Sequence, residues 1–138
     1  IHMTLLANSS LPEHSRYLST AELVSVVGNL LENAIEAVNA VSDDRTRNIV
    51  LQITEDESGL LILMSDSGIG IDPENMPYIY DLGFSTKAAE GRGVGMSLIR
   101  GIVESHNGSM EVDSEPDDGT TFTLIFTNER GGYGPWSE

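Results

Sequence analysis

Between residues 20 and 40 the apolar positions recur at helical spacing, with Leu23, Val26, Val27, Leu30, Leu31, Ala34, Ile35 and Val38 on one broad stripe. Ahead of them, Ser19-Thr20-Ala21-Glu22 has the form of a capping box, in which the Ser19 hydroxyl serves an orphan N–H and Glu22 reaches back. Together they predict a helix from Thr20 to Ala40, the strongest in the chain. Two strand-like runs follow, residues 49–54 and 60–65, joined by an acidic turn from Glu55 to Gly59 that suits a hairpin. From Gly68 to Gly95 glycines, prolines and polar residues break every period. A stretch of that length inside a compact domain reads as a lid or a binding element. A second helix is expected from about Val94 to Ser105, closed by Asn107-Gly108. Residues 109–114 and 120–127 then form a second hairpin across Glu115-Pro116-Asp117-Asp118-Gly119. Helices interspersed with hairpins predict an α/β two-layer sandwich: one mixed, mostly antiparallel sheet covered by helices on one face. There is no internal repeat.

Composition adds bounds to this picture. A chain of 138 residues, 39% apolar, holds one core and one domain. Its formal net charge of -15 repels phosphate backbones and argues against nucleic acid as a partner. A small anion is still admissible, because a local nest of backbone N–H groups and one lysine outweighs a distant, screened field. With no cysteine, disulfides and thiolate metal sites are excluded. No run approaches the roughly 18 apolar residues that span a bilayer, so no direct membrane contact is expected of these residues. Ile1-His2-Met3 looks like a cloning scar, residues 4–128 the domain, and residues 129–138 a flexible tail.

Four segments carry candidate chemistry. Asn29 and Asn33 stand four apart on one helix face, with Glu32 and Glu36 beside them, and an asparagine oxygen is a neutral hard ligand suited to Mg²⁺. Asp66-Ser67-Gly68-Ile69-Gly70 follows a buried strand, where an aspartate can accept from an exocyclic amine while glycines let backbone approach a flat ring. Gly83-Phe84-Ser85-Thr86-Lys87 holds the only lysine of the chain, set between glycine-rich segments beside two hydroxyls. Gly91-Arg92-Gly93-Val94-Gly95 opens the second helix with free N–H groups at the positive end of its dipole. Each has a plain alternative when taken alone: solvated helix positions, an ordinary turn or a calcium loop through Asp66 and Asp72, a solubilising lysine, a hinge. The glycine run is neither the dinucleotide fingerprint nor a P-loop.

The four in this order, over residues 29 to 95, resemble the GHKL family of ATP-binding domains, and within it the catalytic domain of sensor histidine kinases. Asn29-Leu30-Leu31-Glu32-Asn33-Ala34 is similar to the family's N box, and residues 66–70 to its G1 box. Residues 83–87 are similar to its F box, 91–95 to its G2 box, and Gly119-Thr120-Thr121-Phe122 to its closing strand. The resemblance covers roughly residues 20–127 and implies the Bergerat ATP-binding fold with ATP and Mg²⁺ as ligands. By it Asn33 is the principal Mg²⁺ ligand and Asn29 adds a metal or phosphate contact. Asp66 binds the adenine amine, Gly68 and Gly70 shape the ring slot, and Thr121 supports the base through water. The lid from Gly70 to Arg92 carries Ser85, Thr86 and Lys87 to the phosphates, with Phe84 anchoring it by packing, while Gly91, Gly93 and Gly95 offer backbone N–H groups. The spacing of the boxes looks most like the citrate and C4-dicarboxylate sensor kinases.

That likeness implies transfer of the γ-phosphoryl group to a histidine on a separate dimerisation hairpin, and thence to a response regulator. The chain would then be a cytoplasmic piece of an inner-membrane-anchored bacterial sensor. Hydrolases of the family carry a glutamate base where Asn29 stands, and a kinase benefits from its absence because transfer needs positioning and charge neutralisation. Glu32 is a candidate for orienting the attacking imidazole. Neither His14, close after Pro12, nor His106, at a helix end, has the setting of a phosphoacceptor, which points to an excised catalytic domain nearly inactive without its acceptor. A hydrolase of the same fold, a non-catalytic interaction module and an anti-sigma serine kinase stay open beside this reading.

Overall fold

The computed structural model describes residues 1–7, 15–44, 46–74, 76–78 and 95–127. In chain order these form β1 (His2–Ala7), α1 (Thr20–Asn39), β2 (Asn48–Glu55), β3 (Gly59–Asp66), a 3₁₀ turn (Met76–Tyr78), α2 (Gly95–Ser105), β4 (Ser109–Glu115) and β5 (Gly119–Thr127). The five strands make one sheet in the order β1-β2-β3-β5-β4. Only β1 runs parallel to its neighbour, and every other pair is antiparallel.

Strand alternation puts one face of the sheet inside. Leu60, Ile62 and Met64 of β3 lie opposite Phe126, Leu124 and Phe122 of β5, and all six are buried. Val26, Leu30, Ala34 and Val38 of α1, with Ile99 and Val103 of α2, close the core from above. The intervening strand residues, Leu61, Leu63, Thr123 and Ile125 among them, stay half-buried on the opposite face. This is the expected two-layer sandwich, and the elements from α1 onward that the sequence predicts lie within about two residues of their expected bounds.

The helix ends follow their local chemistry. Ser19 Oγ accepts from Glu22 N at 3.1 Å, and Glu22 Oε1 accepts from Ser19 N at 3.0 Å, completing the capping box. At the other end of α1, Arg47 supplies the cation that the last turn lacks, donating from Nε to Val38 O at 3.0 Å and from Nη2 to Val41 O at 2.7 Å. Helix α2 ends in a left-handed Asn107, φ 55, with Gly108 N bonded to Val103 O and Asn107 N to Glu104 O. That is a Schellman turn in which asparagine takes the place usual for glycine.

One strand was not expected from the sequence. β1 runs from His2 to Ala7, so His2 and Met3, set outside the fold on sequence grounds, pair with Asn48 and Ile49. Strand pairing uses backbone N–H and C=O groups, and every residue except proline supplies both. The segment leading into α1 is pinned as well: Ser15 Oγ donates to Glu55 Oε1 at 2.5 Å, and Arg16 N donates to Oε2 at 3.2 Å.

Candidate functional site

Helix α1 serves as the spine of the site. Its side facing α2 and the end of β3 carries Asn29, Asn33 and Ala37 at successive turns, so residues 29 and 37 lie about 12 Å apart along the axis. The two ends of this row meet different backbone. At Ala37 the chain after β3 lies directly on the helix: Ile69 N donates to Ala37 O at 3.2 Å, and a methyl on Gly68 would fall 2.5 Å from the Ala37 carbonyl carbon. At Asn29 the start of α2 comes in: a methyl on Gly95 would fall 2.7 Å from Asn29 Oδ1. Asn29 Nδ2 donates to Ser25 O at 2.7 Å, which leaves Oδ1 as the face turned to Gly95. Asn33, half-buried, stands between these two ends, while Glu32 is exposed to one side.

The Ala37 end is built around Asp66, the last residue of β3. It lies opposite Thr120 on the helix-covered face. Gly68 N donates to Asp66 Oδ1 at 2.8 Å. Burial pushes the Asp66 carboxyl above the ordinary carboxylate range, and the N–H groups of Gly68 and Thr120 pull the other way. A partly desolvated carboxyl group gains from a donor that pairs with it.

The connection after Asp66 and the β4–β5 turn are laced together around it. Asp117 N donates to Ile69 O at 2.7 Å and Ile71 N to Ser114 Oγ at 2.8 Å. Two glycines are required here. Gly70 (φ 74) passes against the Glu115 carbonyl and Gly119 (φ 106) against that of Asp66, in conformations and at approaches that a side chain would forbid.

Thr121 is where the structure departs from the expected site. It pairs with Ser65, and the two hydroxyls meet at 2.9 Å on the sheet face away from the helices. Its neighbour Thr120, 5% exposed, is the threonine beside Asp66, and its Oγ1 lies 2.8 Å from Ser114 Oγ. Adjacent strand residues point to opposite faces, so an error of one position moves a side chain across the sheet. Of the remaining expected residues, the structure brings together Asn29, Asn33, Asp66, Gly68, Gly70 and Gly95, with Glu32 at the margin. Ser85, Thr86, Lys87, Gly91 and Gly93, with Phe84 and Arg92, lie outside the described residues. His106 is a helix-end residue whose Nε2 lies 2.8 Å from Glu22 Oε2, far along α1 from Asn33.

The donor set at Asn29 and Asn33 fits a hard divalent cation of the Mg²⁺ type, since both offer neutral oxygens from one helix face. Among the described residues no group of three or more His, Asp or Glu is placed to hold a metal. A cation held by this pair would need further ligands, of which water and an anionic ligand are the ordinary sources.

Comparison with known proteins agrees with this fold. Residues 19–130 match the family described as Histidine kinase-, DNA gyrase B-, and HSP90-like ATPase. A probable C4-dicarboxylate sensor kinase of Bacillus subtilis (strain 168) is 38% identical over 120 residues, 86% of this chain and 22% of the relative. The sensor protein CitS of the same organism is 26% identical over 136 residues, 99% of this chain and 24% of its own length. Among solved structures, the nucleotide-free catalytic domain of histidine kinase ThkA superposes with a TM-score of 0.69 at 25% identity, covering 91% of this chain and 78% of that one. The chain thus spans about a quarter of the curated relatives it matches. Since the family model spans most of the chain, from residue 19 to residue 130, the chain belongs to the family of histidine kinase-, DNA gyrase B- and HSP90-like ATPases.

Proposed function

We propose that this chain binds ATP along α1 and presents its γ-phosphoryl group for transfer to a histidine on a separate dimerisation hairpin. The observation that carries the reading is the two-ended row on α1: a half-buried, desolvated Asp66 at one end and the Asn29–Gly95 junction at the other. Asp66 accepts from the exocyclic amine of the base, and Gly68 and Gly70 keep side chains out of the ring's path. Asn29 and Asn33 would hold Mg²⁺, which when bound supplies charge neutralisation at the phosphates. The start of α2 turns N–H groups and the positive end of its dipole toward the same oxygens. Lys87, Ser85, Thr86, Gly91 and Gly93 complete the phosphate contacts by the family resemblance. Glu32, exposed beside the row, is the candidate to orient the incoming imidazole.

The parent is proposed to be a membrane-anchored sensor with a response regulator downstream, of the citrate or C4-dicarboxylate type, the latter being the type that one relative's name gives. No helix of the described residues is long and apolar enough to cross a membrane. Calorimetry with Mg-ADP, followed by transfer assays with an acceptor hairpin supplied in trans, tests the reading. The expected result is tight nucleotide binding with little turnover until the hairpin is added. Rapid phosphate release without it would identify a hydrolase, and no binding at millimolar nucleotide would identify a non-catalytic module. If Asp66→Ala leaves adenine-nucleotide affinity unchanged, the base-recognition role is wrong.

A further inference from the structure

Ser114, near the end of β4, has a hydroxyl with three close partners. It lies 2.8 Å from Ile71 N, 3.1 Å from Gly119 O and 2.8 Å from Thr120 Oγ1. A serine hydroxyl has one proton and two lone pairs. The amide of Ile71 must donate and the carbonyl of Gly119 must accept, so the Ser114 proton goes to Gly119 O. Only one assignment then satisfies all three contacts: Thr120 donates its own proton to Ser114 Oγ. Thr120 Oγ1 is left with lone pairs and no proton, on a side chain only 5% exposed and beside Asp66 on the same face of the sheet.

We infer that Ser114 is a positioning residue for base specificity, fixing Thr120 as an acceptor so that Asp66 of β3 and Thr120 of β5, side by side, present two acceptors and no hydroxyl donor. This rests on the proposed base-binding role of Asp66. Such an edge welcomes the 6-amino group of adenine, directly or through a water, and disfavours a purine with a carbonyl at that place, since two acceptors facing each other leave both unpaired. Ser114 need not touch the base. It acts by spending the Thr120 proton, and at the same time ties the connection after Asp66 to the β4–β5 turn.

The test measures ATP and inosine triphosphate affinities, each with Mg²⁺, by calorimetry for the unmodified chain, Ser114→Ala, Ser114→Thr, Thr120→Val and Asp66→Asn. Freed from Ser114, the Thr120 hydroxyl can turn its proton toward a 6-carbonyl. Ser114→Ala should therefore reduce the preference for ATP over inosine triphosphate by about tenfold, the worth of one hydrogen bond. Ser114→Thr, which keeps the hydroxyl, should restore it. Thr120→Val, lacking any donor, should weaken ATP without improving inosine triphosphate. A merely structural Ser114 would weaken both nucleotides by the same factor, and that result overturns the proposal. If Asp66→Asn abolishes the preference while Ser114→Ala leaves it intact, the Asp66 reading survives and the Ser114 one fails. An unmodified chain with no preference removes both.

Discussion

At the residue scale, Asp66 sets function against stability. Its folded-state value is raised above the ordinary 3.8, chiefly by burial. A raised carboxyl contributes its full stability only below the unfolded value, and loses it as pH rises through the folded value. At neutral pH its charge therefore lowers the stability of the nucleotide-free fold. Asp66→Asn keeps an oxygen for the Gly68 N–H and removes that charge. It should melt higher than the unmodified chain at pH 7 without nucleotide, with the gap narrowing as pH is lowered toward 3.8. Its ATP affinity should fall at least about tenfold, since the base amine loses a charged acceptor. The same raised value makes the unmodified chain lose affinity on acidification at pH values above the ordinary carboxylate range. Thermal melts and calorimetry across pH check all three.

The glycines on α2 separate contact from propensity at the same scale. A methyl at Gly95 meets Asn29 Oδ1, whereas one at Gly101 meets nothing within 4 Å. Gly101→Ala should stabilise by about 0.5–1 kcal/mol through helix propensity alone, read as a higher melting temperature with unchanged nucleotide affinity. Gly95→Ala should displace the Asn29 carboxamide and weaken Mg-nucleotide binding. Equal affinities in the two variants would mean that the Asn29–Gly95 junction is not part of the phosphate end.

At the element scale, Glu22 joins two helices. It closes the capping box of α1 and also meets His106 Nε2 at 2.8 Å, while His106 stands edge-on to Phe126 with ring centroids 6.2 Å apart. Its carboxyl is held below the ordinary range, first by the Ser19 N–H and then by His106. A lowered carboxyl contributes stability above its unfolded value and loses it as pH falls through the folded value. Glu22→Ala should cost about 1 kcal/mol near neutrality, as lost caps do, and the cost should shrink below pH 4.5. Denaturant melts at the two pH values decide it, and a cost that persists undiminished in acid would assign the effect to packing.

Elements with a local signature were legible in the chain. The period of α1, its capping box, both hairpin turns and the Asn107-Gly108 stop are written within a few residues of where they act. What was not legible depends on pairing at a distance. β1 is parallel to a strand more than 40 residues away, with no hairpin turn to announce it, and its apolar residues Met3, Leu5 and Leu6 remain about half exposed or more. The choice between Thr120 and Thr121 needs the β3–β5 register, which two adjacent threonines do not reveal. The sequence puts His106 at a helix end, but not against Glu22, which is 84 positions away. The candidate site was legible where a motif carries its own geometry, as at Asp66-Ser67-Gly68. Ser114 was missed because a serine near a strand end has no signal until the turn folds onto it.

At the scale of the whole molecule, the formal charge of -15 opposes the ligand that the site is proposed to take. The two effects act over different ranges. The acidic residues are spread over the chain, so their summed field is felt at a distance, whereas in the proposed site the N–H groups at the start of α2 act only over a few ångströms. The Debye length is about 30 Å at 0.01 M salt and about 8 Å at 0.15 M. At low salt an approaching nucleotide senses the net repulsion of the whole domain; at physiological salt it senses little beyond the site itself. Adding salt over that range should therefore raise the association rate of Mg-ATP, the reverse of a basic nucleotide-binding surface. Adenosine, which carries no charge, should associate at a rate that hardly changes. Stopped-flow fluorescence with a labelled nucleotide measures the first, and competition with adenosine the second. An association rate that falls with salt would show that local cationic groups dominate even the long-range field, and would place more of the recognition on the residues around Lys87 than on the row along α1.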